Sequence, residues 1–380
     1  DHALALHRLL ASYIQHRAES PSASAPVRPR QRKRANQALD RVDALLDSYV
    51  QRQPAPTAQA VVDQALIAQA ARINAAGLPA AMAAILPHLR ERARQALDRA
   101  DAQASEVLDP LAYHLHMVGD YAEARPLMER SLAIREAALG PDHPDTARSL
   151  HYLANLLSDL DDHAAARPLY ERALAIREAA LGPDHLATAS TLNCLAILIN
   201  NLGDFAGARP LYERALAIRE AALGPNHPDT ATVVGNLGIM LREMGDFAAA
   251  LPLYERALAI REETDGQDHP DTARNLNALA SLFRDIGDFD SARPLYEWGL
   301  AIREATLGPN HPDTATSLNS LALMLRDMGN YAEARPLFER SLAIREAVLG
   351  PDHSQTRRTR DGLAFVLAAL ANDPGQGGQG

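Results

Sequence analysis

The sequence repeats itself every 42 residues, and this spacing limits its possible folds more than any other feature. The string Gly203–Thr230, GDFAGARPLYERALAIREAALGPNHPDT, returns in altered form along the chain. Its Gly-Asp-aromatic start recurs at Gly119-Asp120-Tyr121, Gly245-Asp246-Phe247 and Gly287-Asp288-Phe289. Gly329-Asn330-Tyr331 is a variant, and Asp161-Asp162-His163 is a degenerate copy. No copy has gained or lost a residue. A fixed period of roughly 20–50 residues marks a solenoid, in which each unit buries its apolar faces on its neighbours.

Each unit reads as a shorter helix, a tight turn, a longer helix and a loop. In the stretch Asp313–Met328, Leu318, Leu321, Ala322, Leu323, Met324 and Leu325 take nearly half the positions, so this first helix packs on two sides. Gly329-Asn330 makes the turn, and Asn330, like Asp120, Asp204, Asp246 and Asp288, is placed to cap the next helix. The second helices carry a proline six residues in, at Pro126, Pro168, Pro210, Pro252, Pro294 and Pro336. Each removes a hydrogen bond and is expected to bend the axis, and equal bends add up to a regular superhelix. Gly-Pro pairs such as Gly224-Pro225 end the second helices, and His-Pro-Asp-Thr opens the next unit. Arg125, Arg167, Arg209, Arg293 and Arg335 each precede a glutamate by four residues. Such intrahelical pairs are worth a few tenths of a kcal/mol and read as structural. The expected fold is all-α: a right-handed α-solenoid of antiparallel helix pairs with an N-terminal helical lead-in.

The rest of the chain divides by composition. Residues 1–18 space apolar residues as a helix. Residues 19–35 are a Ser/Pro linker with a basic run, Arg28–Arg34, expected to be mobile and solvated. Residues 36–101 read as a helical lead-in, with Pro87 inside its last helix. The array occupies 102–371, ending in a capping helix over 355–371, and 372–380 form an apolar-poor tail expected to be disordered. The chain starts at Asp1 without a methionine, which reads as a fragment or processed product.

The net charge of -10 argues against general nucleic-acid binding, which needs a basic surface. A single cysteine, Cys194, allows no disulfide framework, and no apolar run reaches the roughly 18 residues of a membrane span. A cytoplasmic protein is expected. The loop histidines His143, His185, His227, His269, His311 and His353 could suggest metal. A zinc ion needs three or four ligands within about 2 Å, whereas stacked units separate equivalent residues by about 10 Å. They read instead as capping or loop-ordering residues. Cys194 lies mid-helix between Asn193 and Leu195 as a small apolar residue. No Ser-His-Asp arrangement and no phosphate loop stands out. The chain is read as non-catalytic, with no metal and no cofactor.

Leu279-Ala280, Phe283, Gly287, Phe289, Ala292, Tyr296 and Gly299 sit where tetratricopeptide repeats place their signature residues. Ala173, Ala215 and Ala257 stand in the place of Gly299. The usual unit has about 34 residues. The longer Tyr212–Pro228 string, YERALAIREAALGPNHP, resembles the 42-residue variety of kinesin light chains and many bacterial proteins. Ahead of the array, His7-Arg8-Leu9, the Ala38–Val50 helix and Ile85-Leu86-Pro87-His88 resemble the junction of bacterial signal-transduction ATPases. In those proteins an NB-ARC module precedes the repeats. That second resemblance implies the sensor region of a larger, self-associating switch protein, although no P-loop motif lies in the sequence.

The first resemblance implies that the first helices line a concave face that binds a protein or peptide. One row across that face runs His151, Asn193, Gly235, Asn277, Asn319, with Tyr152 and Asn236 adjacent. Its asparagines could hydrogen-bond the backbone of an extended peptide. Seven residues on, Ser158, Asn200, Arg242, Arg284, Arg326 form a second row whose arginines suit carboxylates or phosphates, and so an acidic ligand. The competing reading pairs them with Glu243, Asp285 and Asp327. Trp298 replaces the arginine of Arg130, Arg172, Arg214, Arg256 and Arg340, and is a candidate hot spot or a local repacking. Besides the sensor, a free-standing adaptor like a kinesin light chain and the recognition array of an enzyme fit these features.

Overall fold

The structure, a computed structural model, describes residues 66–70, 79–97 and 102–372. The expected helix over 1–18, the linker with Arg28–Arg34, the helix over 36–52 and residues 373–380 lie outside them. The chain divides into two compact units between His114 and Leu115. In the first, residues 66–70 are helical. Helix α1 (Pro79–Leu97) contains Pro87 and buries Met82, Leu89, Ala93 and Ala96. Helix α2 (Ala102–Met117) carries the chain into the second unit.

The second unit is a run of antiparallel helix pairs. Its helices are α3 (Tyr121–Leu139), α4 (Pro144–Asp159), α5 (His163–Leu181), α6 (Leu186–Asn201), α7 (Phe205–Leu223) and α8 (Pro228–Glu243). They continue as α9 (Phe247–Thr264), α10 (Pro270–Asp285), α11 (Phe289–Thr306), α12 (Pro312–Asp327), α13 (Tyr331–Leu349) and α14 (Ser354–Ala371). No strand occurs among the described residues. This is an all-α solenoid. Consecutive helices pack along the whole run. The first helices α4, α6, α8, α10, α12 and α14 also pack against one another, while the second helices make no comparable contact. The stack therefore curves with its first helices on the inner side.

The periodic core explains the pairing. Tyr170, Tyr212, Tyr254, Tyr296 and Phe338 are buried one per second helix, each about seven residues before a buried Ile-Arg pair. Burying a side chain of this size stabilises by roughly 2–3 kcal/mol. The ring fits because small Ala166, Ala208, Ala250, Ala292 and Ala334, all fully buried, lie one turn earlier on the same face.

Local chemistry sets the helix boundaries. Asp120, Asp162, Asp204, Asp246 and Asp288 accept the N–H three residues on at 2.9–3.3 Å. Asn330 holds the same position but makes no side-chain cap bond, a departure from expectation. A neutral amide gains less than a carboxylate at the positive helix end. The second helices run on through their prolines. The loop histidines are N-caps: each Nδ1 accepts the N–H two residues on at 3.0–3.2 Å. Thr146, Thr188, Thr230, Thr272 and Thr314 donate their hydroxyls to the carbonyls of Gly140, Gly182, Gly224, Gly266 and Gly308 at 2.8–3.0 Å. That bond ties the end of one unit to the start of the next.

Candidate ligand groove

The inner face is built from the first helices, and the asparagine row proves to lie close to the core. Asn193, Asn236 and Asn277 are buried, between 5% and 8% exposed. Asn236 Nδ2 donates to Asn193 Oδ1 at 3.0 Å, and Asn277 Nδ2 donates to Ser317 Oγ at 2.6 Å. Asn319 is half-buried and accepts from Thr359 Oγ1 at 3.1 Å. These bonds run between successive first helices, so the amides tie units together. Tyr152 is half-buried beside the His151 ring, 5.8 Å between centroids.

At the turn end of the same helices lies an alternating charge ladder. Arg284 donates to Asp285 at 2.7 Å, and Arg326 to Asp327 at 2.7 Å. Each acid also faces the arginine one unit back: Arg242 to Asp285 at 3.6 Å and Arg284 to Asp327 at 3.8 Å. Asn200 joins the row by donating to Glu243 at 2.7 Å. Arg326 also lies 5.7 Å from the exposed Phe365 ring, within cation–π range. Arginines and acids balance in number, so the row is a cross-unit brace with little net field.

The buried charge lies elsewhere, in residues the sequence reading passed over. Arg135, Arg177, Arg219, Arg261, Arg303 and Arg345, the arginines of each Ala-Ile-Arg-Glu string, are only 1–8% exposed. They reach from the second helices to the starts of the first helices. Arg177 donates to the Ala187 carbonyl at 2.8 Å and Thr191 Oγ1 at 2.6 Å. Arg219 donates to the Asp229 carbonyl, Arg303 to the Asp313 carbonyl, and Arg345 to Gln355 O and Thr359 Oγ1. Arg261 meets carboxylates directly, Asp265 at 2.5 Å and Asp271 at 3.4 Å, while Asp229 lies near Arg219 and Asp313 near Arg303. Burial lowers the pKa of Arg177, Arg219 and Arg303, and it pushes Arg345 down to about 10. Arg148 adds to the effect at Arg177, Arg274 at Arg303 and Arg358 at Arg345. Arg274 and Arg358 are exposed. The signal was present in the helical spacing, since Tyr170, Ala173 and Arg177 share one face.

A small depression on this face is lined by Thr232, Asn236, Ile239, Arg261, Arg274 and Asn275. Close by, Asp265, His269 and Asp271 bring ligand atoms within 4.8 Å of one another. Both acids already face Arg261, and His269 Nδ1 accepts from Asp271 N. Desolvation pushes the Cys194 thiol up to about 11, which leaves no thiolate nucleophile near neutral pH. Trp298 sits on a second helix and packs on Ala273, Leu276 and Ile302. Its counterparts Arg172, Arg214, Arg256 and Arg340 bridge to Glu136, Glu178, Glu220 and Glu304 at 2.5–2.7 Å. They also bond the carbonyls of Pro141, Pro183, Pro225 and Pro309. Gln267 replaces that proline where Trp298 replaces the arginine, so one seam of the stack is held by apolar contact instead. No helix among the described residues is long and apolar enough to cross a membrane.

Stacked helix pairs with a curved inner face define a helical-repeat scaffold. Residues 103–179, 151–198, 187–263 and 235–305 match the tetratricopeptide repeat, and residues 314–355 match it separately. The chain belongs to the tetratricopeptide repeat family, whose fold is typically a non-catalytic scaffold for protein–protein interaction. It is similar to a Podosopora anserina protein described as a kinesin light chain with nearly identical TPR-like repeats. The two share 28% identity over 54% of this chain and 97% of that one, with a TM-score of 0.42. BtubC (BKLC) from P. vanneervenii is 26% identical over 65% of this chain and 92% of that one, with a TM-score of 0.46. A Rap protein complexed with competence and sporulation factor shares the fold at 12% identity, covering 97% and 99% of the two chains with a TM-score of 0.57. No curated protein matches the sequence.

Proposed function

We propose that the array binds an extended, acidic segment of a partner protein along its inner face. The observation that carries this is that two buried arginines, Arg177 and Arg345, reach the starts of first helices and meet neutral acceptors there. A second guanidinium lies near each of them: Arg148, itself paired with Asp145 at 3.2 Å, near Arg177, and the exposed Arg358 near Arg345. In the first helices of these two seams, the acid of the His-Pro-Asp-Thr string is replaced by Ala187 and Gln355. A ligand carboxylate would complete such a site by bidentate pairing. In this reading Tyr152 flanks the first site, and Arg242, Arg284 and Arg326 exchange their aspartates for ligand acids. The buried Asn193, Asn200, Asn236 and Asn277, with Asn319, hold the walls in register.

Fluorescence anisotropy with labelled acidic, neutral and basic extended peptides tests this. Acidic peptides should bind with an affinity that falls as salt rises, and Arg148→Glu with Arg358→Glu should weaken them at least about tenfold. Equal binding of basic peptides, or no effect of the substitutions, refutes it. Two settings would use the same groove: a kinesin-light-chain-like adaptor and the sensor region of an NB-ARC ATPase. The groove chemistry favours neither. A P-loop module in the native protein would single out the sensor.

A further inference from the structure

Two places where the sequence departs from its own repeat lie 193 residues apart and meet in space. Asp161 stands where other turns have glycine, and it keeps the left-handed backbone, φ 62°, alone among the described non-glycine residues. Ser354 stands where α4, α8, α10 and α12 begin with proline. The Ser354 N–H donates to Asp161 Oδ2 at 2.8 Å. Proline has no N–H to give, and glycine has no carboxylate to receive it. Each substitution is useless to this contact without the other.

The surroundings extend the contact. His353 Nδ1 is occupied as a helix cap, which leaves its Nε2–H to donate to the Asp159 carbonyl at 2.9 Å, 3.4 Å from Asp161 Oδ2. One unit earlier on each side the same arrangement recurs with repeat-typical residues. His311 Nε2 bonds the Met117 carbonyl at 3.0 Å. Gly119 lies so close to Pro312 and Val348 that an added Cβ would fall 2.7 Å from Val348 Cγ1. His116 Nε2 and Asp159 Oδ2, 2.6 Å apart, join the two docking turns. The turns at 117–119 and 159–161 therefore seat on the loops before α12 and α14.

We propose that these contacts form a latch that closes the array on itself, one edge of its early units against the opposite edge of its late ones, and that releasing the Asp161–Ser354 pair opens the groove. A ligand enters the closed form only by threading or by prising the latch. The latch does not depend on what the groove binds, so it is tested without a ligand.

Spin labels at Ala164→Cys and Asp352→Cys, in the full chain carrying Cys194→Ser, read the gap by pulsed electron resonance. The intact latch should give a short, narrow distance distribution. Asp161→Gly restores the residue of the other turns, and Ser354→Pro that of four other first helices, so both are compatible with the repeat. Either one should lengthen and broaden the distribution, and the two together should do no more than one alone, with circular dichroism unchanged. A long distance in the unsubstituted protein overturns the proposal. So does a short one that survives both substitutions.

Discussion

Gly299→Ala sets two effects of opposite sign against each other. Gly299 lies inside α11, where alanine should be favoured by about 1 kcal/mol on helix propensity. The equivalent residues Ala173, Ala215 and Ala257 show that the repeat accepts a methyl there. At this position, however, a Cβ would lie 2.7 Å from Asn277 Oδ1 and 3.2 Å from the Ala273 carbonyl. Asn277 is buried and held by its bond to Ser317, so it cannot swing away freely. Overpacking of this kind costs about 1–3 kcal/mol. The clash should win, and Gly299→Ala should destabilise by up to about 2 kcal/mol. Urea unfolding followed by circular dichroism measures it. The Asn277→Ala background isolates the cause: there the methyl has room and should stabilise by up to about 1 kcal/mol. A gain in the Gly299→Ala single variant refutes the argument, as does a loss of equal size in both backgrounds.

Burial, with Arg177 adding to it, pushes His151 down to about 3 from its ordinary 6.5. Below pH 6.5 the unfolded chain takes a proton that the folded one refuses, so stability should fall by about 1.4 kcal/mol per pH unit towards pH 3. His151→Asn should remove that share of the slope, which denaturant midpoints at pH 7 and pH 5 will show. Arg177→Met should be close to neutral, because the Ala187 carbonyl and the Thr191 hydroxyl keep their bond to each other at 3.1 Å, whereas Arg261→Met strands Asp265 and Asp271 and should cost about 2–3 kcal/mol. Thermal melts compare the two. His227→Ala removes the N-cap of α8 and should cost about 1 kcal/mol, read as a lowered urea midpoint.

The repeat made the helices, their turns and their caps legible, because each rests on contacts within about six residues. The groove was only half legible. Asn193 and Asn277 were placed on the right helices, but their depth depends on how closely successive first helices approach. That distance is set by the accumulated curvature. The buried arginines were missed because a charged residue on a helix reads as surface unless its face is traced through Tyr170 and Ala173. The Asp161–Ser354 contact needed the whole superhelix. Its trace in the sequence was two irregularities that nothing local connects.

Stacks of this kind normally tolerate gain or loss of a unit, since every unit touches only its neighbours. The bond between Asp161 and Ser354 removes that freedom. It closes only if the intervening rotations sum to one value, so duplicating or deleting 42 residues between them would carry the two out of register. A fold that is indifferent to its own length thus acquires a fixed count.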